Sequence, residues 1–241
     1  MIQEKPVFYK TCKIKDKPLA RKEFPLSKLK PQHFLWLVLG LAALLRLWGL
    51  DFGLPNISRP DEQNISYVLI RIFKSFAMGQ PDLNPHFFEY PSFHLYLMTG
   101  LYGIYYLVGH LMGMFPDLSA FLDHYADDFY PFHLIARYLT ALMGIATVWI
   151  VYQLGVGLGR SRWLGLFSAF LMAVTYLHVR DSHFGVTDVP ATFWVAFSLW
   201  MAVLYVRTGQ KKHLLLACLA TGLGAGTKYP AGLTGLSVLI A

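Results

Sequence analysis

An all-α, polytopic transmembrane protein is the fold class this chain predicts, and three observations predict it. Of 241 residues, 55% are hydrophobic and 15% charged, a balance too apolar for an ordinary soluble domain. The apolar residues gather in runs long enough to cross a bilayer, near 34–50, 93–114, 132–158, 163–179, 189–206 and 213–241. Two short loops between apolar runs carry cations and no acid, Arg160 with Arg162 and Arg207 with Lys211 and Lys212, as expected of loops on the cytoplasmic side.

The elements follow in order. Residues 1–31 carry nine Lys and Arg against Glu4, Asp16 and Glu23, so a net +6 of the formal +7 lies in this tail. Charge placed there is not a nucleic-acid footprint; it holds an N-terminus in the cytoplasm. No small-residue cleavage site follows, so the tail is expected to be retained. Cys12 lies in it and Cys218 in an apolar run, which implies no disulfide framework. Residues 34–50, interrupted by Arg46, form the first predicted span, and Asp51-Phe52-Gly53-Leu54-Pro55 ends it. Beyond Asp61, the apolar Ile65, Val68, Leu69, Ile72, Phe73 and Phe76 recur at helical spacing with Arg71 and Lys74 between them. That stripe predicts an amphipathic helix lying on the membrane surface, stopped by Gly79 and Pro81. Pro85-His86-Phe87-Phe88-Glu89-Tyr90-Pro91 reads as a rigid loop leading into 93–114. Residues 115–130, with Asp117, Asp123, Asp127 and Asp128 and no Lys or Arg, read as an acidic outer loop.

Placing both basic loops in the cytoplasm fixes a topology. About five spans result (34–50, 132–158, 163–179, 189–206 and 213–241), with a first outer loop over 51–131 and a second over 179–189. Residues 93–114 then cannot be a simple span. Their Gly100, Gly103, Gly109, His94 and His110 suit a re-entrant or interface-lying helix packed on protein. The domain reading is a cytoplasmic tail over 1–31 and one transmembrane module over 32–241. The chain stops inside the apolar run at 236–241, from which we expect a longer natural protein.

On this topology the carboxylates converge on one face. Asp61-Glu62 follows Pro60 at the start of a predicted helix; the pair suits an N-cap and acidic first turn, and a cap does not exclude catalysis. The linker Arg180-Asp181-Ser182-His183-Phe184-Gly185-Val186-Thr187-Asp188 is unusually polar between two spans; it reads as a solvated loop in which Asp188 is expected to cap the helix that Val189-Pro190 opens, and a cap and a site are compatible. Glu89, at an apolar entrance, is expected to be paired or to ligate a cation. His86, His94, His178 and His183 could add nitrogens, yet none has a metal-binding spacing. Arg137, Lys228 and Arg46 lie within apolar runs, where cations snorkel to the headgroups or meet a lipid phosphate. The glycines of 155–159 and 222–226 fit neither a dinucleotide fingerprint nor a phosphate loop, and suit close helix approach instead. The sequons at Asn56 and Asn64 would lie against the membrane, where glycosylation is sterically disfavoured.

Five motifs, taken in order, carry a resemblance: Asp61-Glu62, Glu89-Tyr90-Pro91, Ala136-Arg137-Tyr138-Leu139, His183-Phe184-Gly185-Val186-Thr187-Asp188 and Gly226-Thr227-Lys228-Tyr229-Pro230. Together they resemble the N-terminal half of GT-C superfamily glycosyltransferases of family 39, the protein O-mannosyltransferases and the lipid A aminoarabinose transferase. The resemblance covers residues 34–241 and implies a polyprenyl-phosphate sugar donor, with inverting transfer on the non-cytoplasmic face of the membrane; the short tail and lack of another targeting signal point to a plasma (inner) membrane, and an ER membrane would satisfy the same physics. The resemblance makes Asp61 the general base, with Glu62 and Asp188 in the catalytic group and Asp188 holding acceptor or sugar. It gives Arg137 and Lys228 to the donor phosphate, counts Asp181, His183 and Tyr229 among the substrate contacts, and places Glu89 where the aminoarabinose enzyme binds a divalent metal ion. That enzyme has Glu-Lys-Pro where this chain has Glu89-Tyr90-Pro91, so one phosphate-facing cation is absent. The expected partners are the lipid-linked donor, the bilayer and an acceptor glycan, lipid or protein, with no nucleic acid. The competing reading is a non-catalytic lipid-binding or transporter-like protein, against which the lack of an internal repeat counts.

Overall fold

Ten α-helices and no strand make up the described part of the computed structural model, residues 31–55 and 59–241. The basic tail and the sequon at Asn56 lie outside the described residues. The helices are α1 (Pro31–Leu47), α2 (Pro60–Ala77), α3 (Ser92–Leu111), α4 (Leu118–Asp127), α5 (Tyr130–Gly159), α6 (Arg162–Val174), α7 (Tyr176–Asp181), α8 (Asp188–Thr208), α9 (Lys211–Thr227) and α10 (Thr234–Ile240). A 3₁₀ turn, Tyr229–Leu233, joins α9 to α10. By length and composition, α5 and α8 can cross a membrane, while Gln32–Leu47, Arg162–Val174 and Tyr229–Ile240 are shorter apolar helices.

Helix ends follow local chemistry. Pro131 and Pro190 sit in the first turns of α5 and α8, where a missing N–H costs nothing. The Ser161 hydroxyl accepts from the Leu164 N–H to start α6, and the Asp117 carboxylate accepts from the Ala120 N–H at 2.8 Å to start α4. Gly209, at φ +66°, closes α8 in the left-handed conformation. The central packing is glycine-dependent, as the small-residue runs led us to expect. A Cβ on Gly165 of α6 would stand 2.8 Å from the Tyr152 carbonyl oxygen of α5, and one on Gly155 would stand 2.8 Å from the Gly165 Cα.

Four expectations change. The apolar stripe of α2 is turned onto protein: Ile65, Val68 and Leu69 are buried with Leu95, Met98 and Tyr102 of α3, Phe121 of α4 and Phe132 of α5. Tyr67, on the other face, and Phe76, at the C-terminal end of the stripe, are exposed. The acidic stretch 115–130 contains a helix, α4, because Phe121 plugs into an edge-to-face aromatic cluster with Tyr105, Phe115 and Phe132. The run 163–179 is broken at Thr175 (φ −60°, ψ 109°) into α6 and α7, leaving α6 with 13 residues. At 1.5 Å per residue that is about 20 Å, less than a hydrocarbon core. The run 213–241 is a hairpin. The backbone turns extended at Lys228, and Val238 of α10 returns to pack with Ala217 of α9 and Met201 and Ala202 of α8.

Candidate active site

Two loops from distant parts of the sequence meet at the N-terminal ends of α2 and α8. The joint is built around Glu62 and Arg137, both essentially unexposed. Arg137 donates from Nε to Glu62 Oε1 and from Nη2 to Oε2, each at 2.7 Å, the bidentate fork that matches a carboxylate. Its Nη1 donates to the carbonyls of Leu50 at 3.0 Å and Phe52 at 2.8 Å, just past α1. Glu62 Oε1 also accepts from the Gly185 N–H at 2.8 Å. Glycine is required there, since a Cβ would lie 2.6 Å from the Ala136 Cβ. The ring of Phe184 is shared by the guanidiniums of Arg59 and Arg137, at 5.2 and 5.5 Å.

In this geometry several of the expected site residues already have protein partners. Every donor-bearing nitrogen of Arg137 is committed to protein at zero exposure, so it has no fork left for a phosphate. Glu62 is the other half of that pair. His183 is likewise occupied, with Nδ1 facing the Val179 carbonyl at 2.9 Å and Nε2 the Trp48 carbonyl at 3.1 Å. Arg46 neither snorkels nor reaches a headgroup. Its Nη1 donates to the carbonyls of Ala42 and Ala173, and its Nη2 to the Met172 carbonyl and His178 Nδ1. It thereby satisfies carbonyls left open where α6 ends.

The remaining predicted residues surround a polar face. Asp61, in the first turn of α2, is partly exposed, and the Tyr90 hydroxyl is turned toward it. Burial first, then the charges of Asp61, Asp188 and Glu89, push the Tyr90 phenol above its usual range. The Lys228 ammonium at the end of α9 is 2.6 Å from Asp188 Oδ1 at the start of α8, a half-exposed pair. Asp181 accepts from Arg59 Nη1 at 2.6 Å and from Arg180, both through Oδ1. Burial alone would lower Arg59; its hydrogen bond to Asp181 and the charges of Asp181, Asp188 and Asp61 offset that and raise it. The Tyr229 hydroxyl donates to the Phe88 carbonyl at 3.2 Å and ties the hairpin to the Glu89 loop. Arg59 is the residue sequence reasoning passed over. Its signal was the placement of a cation two positions before a carboxylate at a helix start.

Two depressions flank Asp188: a cavity of about 280 Å³ under the break between α6 and α7, and a groove of about 400 Å³ beside Lys228 and Pro230. A larger apolar groove of about 580 Å³ lies at the other end of α5 and α8, beside Arg160 and Arg207. The cations of the two basic loops therefore share one end of the bundle, and the carboxylates share the other. Glu89 is exposed, and among the described residues no group of three or more His, Cys, Asp and Glu side chains is placed to hold a metal ion. The described residues do not fit the implied divalent ion.

Fold and site define a helical membrane protein with a carboxylate- and cation-lined polar face at one end of its bundle. A family model described as dolichyl-phosphate-mannose-protein mannosyltransferase matches residues 102–241, more than half of the sequence, and the chain belongs to that family. An uncharacterized protein of Aquifex aeolicus (strain VF5) is 27% identical over 96 residues, which cover 40% of this chain and 19% of that protein. The chain thus matches about a fifth of that relative's length. No solved structure matches it.

Proposed function

We propose that the polar face transfers a sugar from a polyprenyl-phosphate donor to an acceptor hydroxyl, with inversion, on the non-cytoplasmic side of a multi-pass plasma membrane protein whose N-terminus is cytoplasmic. The observation that carries this is the meeting of the two loops, which puts a partly exposed carboxylate, Asp61, on the same face as the Asp188–Lys228 pair. Asp61 accepts the acceptor's hydroxyl proton; the oxygen attacks the anomeric carbon, and the bond from that carbon to the phosphate oxygen breaks with its electrons on the phosphate. With Arg137 committed elsewhere, the cations available to that developing charge are Lys228 and Arg59. Lys228 leaves Asp188 for the phosphate, and Asp188 is released toward a sugar or acceptor hydroxyl. Charge that grows at the leaving group is where such fixed cations act most strongly. Family membership and the segregation of cations and carboxylates to opposite ends of the bundle support the reading.

The test is donor-dependent transfer by the protein in lipid, with the product anomer assigned by NMR. Inverted product dependent on the lipid-linked donor is expected. Donor binding without any sugar release would favour the lipid-binding reading instead.

A further inference from the structure

The end of the bundle away from the carboxylates carries cations with no acid among the described residues to meet them. Residues 129–180 and 189–241 hold no Asp or Glu, yet Arg160, Arg162, Arg207, Lys211 and Lys212 gather in the two short loops there. Arg160 and Arg207 stand in the wall of the groove of about 580 Å³, beside Leu154 and Leu158 of α5 and Val203 and Val206 of α8, with α10 along the third side. Both arginines are exposed. Arg207 Nη1 donates to the Gly157 carbonyl at 3.2 Å, which holds the guanidinium against α5 and leaves its other N–H groups without a partner among the described residues. Arg160 ends α5 at φ +50°, the left-handed conformation in which glycine is the relaxed choice. A cation beside a helix C-terminus complements the helix dipole. That accounts for the charges and not for the apolar cleft between them.

We infer that this groove binds one anionic phospholipid of the cytoplasmic leaflet, with an acyl chain laid along α5 and α8 and the phosphodiester held between Arg160 and Arg207. The chemistry selects the occupant. A free phosphate leaves the apolar walls unfilled. A zwitterionic headgroup brings an ammonium to a site already lined with guanidiniums, and an apolar protein segment leaves both guanidiniums unpaired. A phosphodiester carried on an acyl chain satisfies both halves, and the planar guanidinium fork matches phosphate oxygens. Basic pockets between membrane helices on the cytoplasmic side take phosphate headgroups in this way. The volume lies within the span of ligand clefts, about 300–1,000 Å³. The leaflet follows from the two basic loops. The site is at the opposite end of the bundle from the proposed transfer face and stands whether or not that face transfers sugar.

The experiment is native mass spectrometry of the full chain titrated with phosphatidylglycerol and with phosphatidylcholine of the same acyl chains. Phosphatidylglycerol is expected to bind saturably and about 30-fold more tightly, a factor of about five for each cation. Arg160→Gln/Arg207→Gln should bind the two lipids equally while keeping the wild-type melting temperature in phosphatidylcholine nanodiscs. Lys211→Gln/Lys212→Gln removes the same charge outside the groove wall and should keep most of the preference. Phosphatidylglycerol with a diazirine on one acyl chain, photolysed in nanodiscs of wild type, should label α5 at 154–158 and α8 at 199–206. Glycerol phosphate, which has no chain, should not compete. Equal binding of the two lipids by wild type, or a preference that survives Arg160→Gln/Arg207→Gln, would overturn the inference. A preference lost equally in Lys211→Gln/Lys212→Gln would overturn it in favour of diffuse surface attraction. Labels confined to other faces would overturn it in favour of a protein segment in the groove, and competition by glycerol phosphate in favour of a soluble anion.

Discussion

Two pairs of cations sit within a helix or two of each other and have opposite fates. Arg46 and Arg137 are fully buried, and each is bonded to backbone carbonyls near helix ends as well as to one side chain. Arg59 and Lys228 are 25% and 34% exposed at the side chain, and each meets a single carboxylate, Asp181 or Asp188. Arg46, Arg137 and Lys228 stood out as charges within apolar runs, and Arg59 did not. The difference is what lies around them. A buried cation held by several protein acceptors holds the fold, whereas one at the rim, with one partner, can exchange that partner for a ligand.

Removing an interior cation should have the largest effect. Arg137→Ala leaves Glu62 buried without its partner, and losses of about 3–5 kcal/mol follow from breaking such pairs. We expect no folded, monodisperse protein in size-exclusion chromatography, and partial recovery when Glu62→Gln is added. Normal folding of Arg137→Ala alone would dissolve the distinction between the pairs. Arg46→Met should cost less, about 1.5–3 kcal/mol on the scale of a charged hydrogen bond, because the α6 carbonyls can rehydrate near the break. The readout is a lowered thermal midpoint with donor binding retained once folded.

The rim cations should behave the other way. Lys228→Gln breaks a half-exposed pair worth at most about 1 kcal/mol, so its melting temperature should stay near wild type. Its KM for lipid-linked donor should rise about tenfold, and that of Lys228→Arg much less. Unfolding of Lys228→Gln would move Lys228 into the interior class. The smallest effect is expected at Tyr90, where Tyr90→Lys adds a cation to a face already holding Arg59 and Lys228. Donor affinity should rise a few-fold in low salt and return to wild type in high salt.

Much of this was legible in residue order. Apolar runs marked α5 and α8, Val189-Pro190 marked the start of α8, and basic loops marked the end of the bundle opposite the carboxylates. Asp61, Asp188 and Lys228 could be grouped because a topology count put them on one side. What escaped was set by tertiary packing. Nothing local distinguishes Thr175 as a helix break, since the carbonyls it exposes are taken by Arg46 from 126 and 127 residues away. Nothing in 115–130 announces a helix until Phe121 finds its aromatic neighbours. Glu62 and Asp61 are adjacent with identical chemistry in the sequence, yet a helix turns neighbours about 100° apart, so one faces Arg137 and the other the polar face.

That adjacency makes the central claim testable with one substitution. Asp61→Asn removes the proposed base while keeping size and the start of α2. In the complete protein we expect an unchanged melting temperature, unchanged donor binding, and a transfer rate lower by about 10²–10⁴-fold, the usual contribution of a positioned base. A rate within a few-fold of wild type would contradict the account and show that Asp61 is not the base.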